Sequence, residues 1–198
     1  MPFREDILTP IPGDNPAGVS LRYDPIYDKI KEARREDDNL NQGNWKTERK
    51  VADWNFVMKH CEEQLCTRTK DLQLAAWLVE AKSKKGGFPA LIEGLDLVSK
   101  LINEFWDHVY PEIEDDDEEL RGSPLVWLST QCIQLSSNMS LCAEGYDFYK
   151  YKESRDVGLE AAATSESAKK ARATKLKEGK LPAEDFDSAF QQLSLIHI

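Results

Sequence analysis

The sequence has few of the residues from which metal sites and catalytic nucleophiles are usually built. It contains three histidines and four cysteines, with no CxxC pair and no two histidines at helical spacing. This excludes the usual zinc layouts, and cysteines within helical patterns predict free thiols. His60 and Cys61 are neighbours and point about 100° apart on a helix, which prevents a dyad. We therefore predict no catalytic residue, no cofactor and no metal.

Long apolar runs and an excess of positive charge are missing as well. The apolar stretch LQLAAWLVEA is far shorter than the roughly 20 residues that cross a bilayer. The N-terminus MPFREDILTPIPGD carries charges and prolines where a secretory signal needs an apolar run. The net charge of −10 repels phosphate backbones. We expect a cytoplasmic protein without membrane insertion or nucleic-acid binding.

Acidic residues are abundant, and seven of them occupy the eight positions from Glu112 to Glu119. An EF-hand loop needs spaced ligands and a central glycine, which this run lacks. General acid–base catalysis needs carboxylates in unlike environments, whereas neighbours on a wet loop share one. We interpret the run as a solvated linker. The alternatives are a weak contact with cations or a basic partner, and a cation-dependent hydrolase that uses this acidic loop, residues 112–119.

The remaining pattern is helical. Residues 1–23 are rich in proline and glycine and predict an extended N-terminal segment, after which Asp24 and Pro25 read as the N-cap and first residue of a helix. A second helix is predicted over about Asp53 to Cys66. Thr69 reads as the N-cap of a third, which is apolar on most sides and therefore belongs at the centre of a bundle.

Glycine and proline divide the rest of the pattern. The third helix is predicted to end at KKGGF, a fourth to run from near Pro89 to Pro111, and a fifth to start at Ser123–Pro124. Apolar stripes on the last two predict an antiparallel pair. The fold class is all-α, an antiparallel helical bundle. Predicted core residues lie on these stripes: Trp54, Leu72, Trp77, Leu78, Leu95, Val98, Ile102, Phe105, Trp106 and Leu128.

The character of the chain changes near residue 150. Residues 24–150 form the predicted helical domain, and residues 151–181 are polar and alanine-rich, which predicts a connector or an exposed helix. Residues 182–192 look like the start of a helix. The final LSLIHI, residues 193–198, is what a transposon-end sequencing adapter would encode. We expect those six residues to be an artefact and the last helix to be truncated.

Several motifs in order resemble one known family. They are PIPGDNPAGVSLRYDPIYDKIKEARRED, ADW, RTKDLQLAAWLVEA, GF, FWDHVYPE and PLVWL, and together they span about residues 5–192. This chain resembles the ImpA-type N-terminal domain of TssA proteins, components of the bacterial type VI secretion system. The resemblance implies a helical, non-enzymatic, cytoplasmic assembly factor that contacts baseplate, tail tube and sheath proteins. It also implies homo-oligomers formed through a C-terminal region absent here.

The predicted contact surface is the segment GDNPAGVSLRYDP with the exposed face of the first helix. Arg22, Tyr23, Asp24 and Tyr27 are the candidate interaction residues, because no apolar stripe claims them. For Arg22 and Tyr23 the alternative is that they only hold the segment onto the bundle. A helical scaffold unrelated to secretion is the remaining reading of the whole chain.

Overall fold

The computed structural model describes residues 2–37, 49–113 and 117–194, and within them the regular structure is helical, with isolated bridges but no strand. The all-α prediction is confirmed. Short 3-10 helices cover Glu5–Leu8 and Glu160–Ala162. The α-helices are α1 Pro25–Arg34, α2 Trp54–Thr67, α3 Leu72–Phe105, α4 Glu119–Asn138, α5 Phe148–Val157, α6 Glu166–Lys177 and α7 Ala183–Ser194.

Aspartate side chains define where the first three helices begin. Asp24 Oδ1 accepts a hydrogen bond from the Ile26 amide, and Asp53 Oδ1 accepts one from Phe56, as the predicted starts of α1 and α2 require. The predicted N-cap of α3 was wrong. Asp71 caps α3, whereas Thr69 is buried and pairs with the N-terminal segment. The Thr69 hydroxyl is buried and makes no hydrogen bond among the described residues, so it does not cap α3.

The chain reverses inside α3. Gly87 has φ 62° and ψ −150°, which breaks the helix at the predicted KKGGF turn. A β-carbon on Gly94 would lie 2.8 Å from Val79, although 15 residues of unbroken helix would separate these positions by about 22 Å. The two halves of α3 therefore fold back on each other. This arrangement makes the first half the centre of the core, as predicted.

The chain divides into two compact units, Met1–Cys132 and Ile133–Ile198. In the first, α2 packs on α1 and α3, and the 3-10 helix Glu5–Leu8 packs on α2 and α3. Nearly every residue in the first half of α3 is buried. The predicted core residues that are buried here are Leu72, Trp77, Leu78, Val98, Phe105 and Leu128, while Trp54 and Ile102 are half-buried.

The prediction of burial is wrong for two residues. Leu95 is 42% exposed and Trp106 is 38% exposed. In the second half of α3 the buried face includes Gly94, Leu97 and Leu101 beside the predicted Val98 and Phe105, so it is turned away from Leu95. Gly94 fits this face because it has no β-carbon to meet Val79.

The start of α4 also differs from the prediction. The helix begins at Glu119, and Pro124 lies inside it rather than at its first position. The first turn is fixed by Arg121, which is buried and donates hydrogen bonds to the carbonyl oxygens of Trp106 (2.5 Å) and Pro111 (2.9 Å). The predicted fourth and fifth helices are the second half of α3 and α4, and their predicted antiparallel pairing is wrong: within the described ranges, α3 makes its extensive helix contacts with α2.

The second unit contains α5, α6 and α7, of which α5 packs on both others. Phe186 is its central apolar residue, with ring centres 5.3 Å from Tyr151 and 6.1 Å from Tyr146. Residues 151–181, predicted as a connector or exposed helix, contain the end of α5 and the whole of α6, which buries no side chain. Residues 195–198 of the suspected artefact lie outside the described part of the chain.

A candidate interaction groove beside the N-terminal segment

Backbone hydrogen bonds fix the N-terminal segment against the start of α3. The Lys70 amide donates to Ala17 O at 2.8 Å, and the Val19 amide donates to Arg68 O at 3.0 Å. Between them, Gly18 has φ +75°, and a β-carbon there would lie 2.1 Å from Arg68 O. Only glycine fits this contact. The GDNPAG motif is therefore a close-packing element, and it places residues 20–24 at the rim of a groove.

Tyr110 closes the same junction from the end of α3. Its amide donates to Lys70 O and its carbonyl accepts from Leu72. Its hydroxyl donates to Gly18 O and accepts from Asn15 Nδ2, each at 3.0 Å. Three segments distant in sequence thus share one hydrogen-bond network, which gives the groove a rigid base.

The groove next to this network has a volume of about 690 Å³ and lies wholly within the first unit. The four residues predicted from sequence all line it, so the structure brings them together. Sequence reasoning did not connect the segments after α2 and α3, or the start of α4, with this surface. The lining residues are Ser20, Arg22, Tyr23, Asp24, Pro25, Tyr27, Asp71, Gln73, Pro111, Glu112, Leu120, Ser123 and Pro124.

Two of the predicted residues already have structural partners. Asp24 caps α1 and its Oδ2 accepts from Arg68 Nη2 at 2.6 Å, so the Ile26 amide and then Arg68 lower the pKa of Asp24. Tyr27 packs on Trp77 with ring centres 4.8 Å apart. Burial, assisted by the charge of Asp71, raises the pKa of Tyr27. These two side chains hold the start of α1 on the bundle.

The other two predicted residues point outward. Tyr23 is 91% exposed, although Leu21, two residues earlier, is buried and its carbonyl oxygen accepts a hydrogen bond from the Asp24 amide in a tight turn. Arg22 is also exposed, and its guanidinium lies 5.7 Å from the centre of the Tyr23 ring. A buried anchor thus presents an aromatic ring and a cation together at the rim, a pairing common in protein interfaces.

Asp71 is the most unusual residue of the groove. It is 3% exposed, and Oδ1 accepts from the amides of Gln73 and Leu74 at 2.8 and 2.9 Å. Burial raises its pKa to about 6, against these two hydrogen bonds, which favour the ionised form. Desolvation is therefore the dominant cause of the raised pKa, and no cation contributes to the pKa of Asp71.

Arg34, which the sequence analysis did not single out, connects the helices that pack behind Tyr27; we call this contact the Arg34 brace. Arg34 Nε donates to Glu80 Oε2 at 2.6 Å, and its guanidinium lies 5.3 Å from the centre of Trp77 and 4.7 Å from that of Trp127. This contact joins α1, α3 and α4. The one sequence signal was Glu80 in the largely apolar first half of α3, where a buried carboxylate calls for a cation.

The other sequence candidates for chemistry receive no support as sites. Glu114, Asp115 and Asp116 of the acidic loop lie outside the described residues. Among the residues that are described, no three His, Cys, Asp or Glu side chains are placed to hold a metal ion, and the four cysteines are free. None of the described helices combines the length and apolar character that crossing a bilayer requires.

Comparison with known proteins identifies the groove-bearing region. Residues 8–130 match the family described as "ImpA, N-terminal, type VI secretion system". The chain belongs to this family. It is a TssA-like component of the type VI secretion system, which rules out the unrelated scaffold.

Two relatives place the ImpA domain within larger proteins. The "Type VI secretion system component TssA1" of Pseudomonas aeruginosa is 29% identical over 112 residues, 57% of this chain and 32% of the relative. This chain therefore spans about a third of the length of that curated relative. The solved N-terminal domain of the TssA component from Burkholderia cenocepacia is 34% identical with a TM-score of 0.73. The match covers 96% of this chain and 71% of that one.

Proposed function

We propose that this ImpA domain is a non-enzymatic, cytoplasmic interaction module, and that its groove docks another protein of the secretion apparatus during assembly. Baseplate, tail tube and sheath proteins are the expected partners. Full-length relatives are expected to form homo-oligomers through their C-terminal regions. In such an oligomer, each subunit would contribute one copy of the domain as an adaptor.

The observation that carries the proposal is the outward pair Arg22 and Tyr23 above a preformed groove. Tyr23 is 91% exposed, so burial of its ring contributes almost nothing to the stability of the fold. Tyrosine and arginine are enriched among residues that dominate binding energy in protein interfaces. The rigid hydrogen-bond network beneath them reduces the ordering entropy that docking would otherwise cost.

The test is affinity capture with residues 1–192 as bait, from cells that contain a complete type VI secretion apparatus. We expect Arg22→Glu and Tyr23→Ala each to reduce the captured baseplate, tube or sheath protein at least about 10-fold, the effect of a loss near 1.4 kcal/mol. Helical content measured by circular dichroism should not change, because both side chains are exposed.

Lys59→Glu is the matched control. Lys59 is exposed on α2 and does not line the groove, yet this variant changes the net charge as much as Arg22→Glu does. We expect Lys59→Glu to capture as the natural sequence does. Equal capture by all variants would disprove the assigned surface, and equal losses in Arg22→Glu and Lys59→Glu would reduce the effect to overall charge.

A further inference from the structure

Asp71 has a hydrogen-bonding capacity that the fold leaves unused. Oδ1 accepts both capping amides, whereas Oδ2 accepts no hydrogen bond from any residue that the structure describes. The side chain is 3% exposed and lines the groove. Aspartates buried to this degree are normally paired with a cation. Asp71 lines the groove and has no such partner among the described residues.

The charges around the groove favour a cationic ligand. Among the residues that the structure describes, its acidic lining residues are Asp24, Asp71 and Glu112, and its one basic lining residue is Arg22. Asp24 is neutralised by Arg68 at 2.6 Å. Asp71 and Glu112 have no ion pair among the described residues, so two negative charges remain against one positive charge at the rim.

The walls of the groove suit an arginine in particular. Tyr23 and Tyr27 supply aromatic rings, and Pro111 and Leu120 supply apolar surface. The planar guanidinium stacks on aromatic rings and is more weakly hydrated than the ammonium of lysine, so it loses less on entering a narrow site. Its several N–H groups reach a carboxylate in a fixed geometry.

We propose that the groove is a receptor for an arginine side chain of the docked protein, whose guanidinium donates to Oδ2 of Asp71 while its stem lies along Tyr27 and Pro111. This inference rests on the proposed function and names the chemistry of its partner. Binding replaces the missing counter-ion of Asp71. The groove then selects basic segments over the acidic surfaces that dominate a chain of net charge −10.

The direct test is an NMR titration of the 198-residue chain with N-acetyl-arginine amide. We expect saturable shifts at the amides of Arg22, Tyr27 and Gln73. N-acetyl-citrulline amide has the same shape without the charge and should shift them at least about 10-fold more weakly. Equal shifts by both probes, or stronger shifts by N-acetyl-glutamate amide, would overturn the arginine assignment.

Asp71→Asn removes the charge while asparagine remains a good N-cap, and we expect it to weaken arginine binding at least about 10-fold. Asp53→Asn makes the same change at the N-cap of α2, which does not line the groove, and should bind as the natural chain does. Thermal melts of both variants report whether each is folded. Unchanged binding in a folded Asp71→Asn would refute the proposal.

The capture assay separates this inference from the proposed function. If Arg22→Glu abolishes capture and Asp71→Asn does not, the groove docks a partner but not through an arginine at Asp71. If neither variant changes capture, the groove is not the docking surface. The inference is supported when Asp71→Asn, and not Asp53→Asn, reduces both capture and arginine binding.

Discussion

Gly18 lies so close to Arg68 that a β-carbon at Gly18 would stand 2.1 Å from the Arg68 carbonyl oxygen. The same residue has φ +75°, which side chains rarely adopt. We expect Gly18→Ala to lower the free energy of unfolding by about 3 kcal/mol or more, since backbone strain and a clash with backbone both oppose it. Urea unfolding followed by circular dichroism measures the loss.

Gly13→Ala separates the two causes. Gly13 also has a positive φ, +130°, but a β-carbon there would meet no atom within 4 Å. We expect this variant to lose only about 1–2 kcal/mol, from strain alone. A Gly18→Ala variant no less stable than Gly13→Ala would show that the segment shifts away from Arg68 without loss.

The Arg34 brace gives a second prediction. The side chains of Arg34 and Glu80 are 18% and 7% exposed, so removing the arginine leaves a buried carboxylate without its cation. We expect Arg34→Ala to destabilise the first unit by about 3–5 kcal/mol. Tryptophan emission should also change, because Trp77 and Trp127 lose the guanidinium between them. Chemical unfolding with fluorescence detection reports both effects.

Arg35→Ala is the neighbouring control for this brace. Arg35 pairs with Glu32 at 3.3 Å, and both side chains are 60% exposed. A solvent-exposed pair contributes less than about 1 kcal/mol. A similar loss in both variants would mean that α1 depends on its overall charge rather than on the contact with Glu80.

Local sequence signals predicted most of the helix boundaries, because caps and breakers act within a few residues. Asp24, Asp53 and the Gly86–Gly87 turn could be identified in this way. The start of α4 could not, since Arg121 fixes it through carbonyl groups of an earlier segment. The choice of Asp71 over Thr69 likewise depends on a bridge to residue 18.

Only the part of the candidate site that is continuous in sequence could be predicted. Arg22, Tyr23, Asp24 and Tyr27 come from one stretch of sequence and do line one groove. Asp71 and Pro111 join it through hydrogen bonds between distant segments, which no periodicity encodes. The exposure of Leu95 and Trp106 has the same origin, because the face that α3 buries is decided by the reversal at Gly87.

Lys70 anchors the N-terminal 3-10 helix from inside the core. The residue is fully buried, its Nζ donates to Ile7 O at 2.5 Å and Leu65 O at 2.7 Å, and burial lowers its pKa. Methionine has a similar length but donates no hydrogen bond. We expect Lys70→Met to cost about 2–4 kcal/mol, since two buried carbonyl groups lose charged donors. Hydrogen exchange at residues 5–9 should rise more than exchange in α3.

Lys85→Met is the control for Lys70, because Lys85 is exposed near the turn in α3 and bonds a side chain, that of Asn55. We expect its stability to change by less than about 0.5 kcal/mol. If Lys70→Met is as stable as this control, the carbonyl groups of Ile7 and Leu65 find other donors and the anchor is not needed.

The pKa of Asp71 makes stability depend on pH in a defined direction. The folded value is about 6 and the ordinary value is 3.8, so the folded protein holds this proton more tightly than the unfolded chain. The stabilisation from protonated Asp71 is present below about pH 4 and is lost as the pH rises to about 6. The asparagine of the Asp71→Asn variant would not ionise, so this variant should not lose stability in this way as the pH rises. Relative to the natural chain, the variant should gain up to about 3 kcal/mol between pH 4 and pH 7.

Urea unfolding at pH values from 4 to 7 measures this difference, with Asp53→Asn as the matched cap variant on α2. The difference between the natural chain and Asp53→Asn should not rise in the same way over this range. A bound arginine ligand stabilises ionised Asp71 and should therefore reduce the gain shown by Asp71→Asn at pH 7. Parallel pH curves for the natural chain and Asp71→Asn would mean that the Asp71 carboxyl is well solvated, which would remove the reason for it to seek a cation.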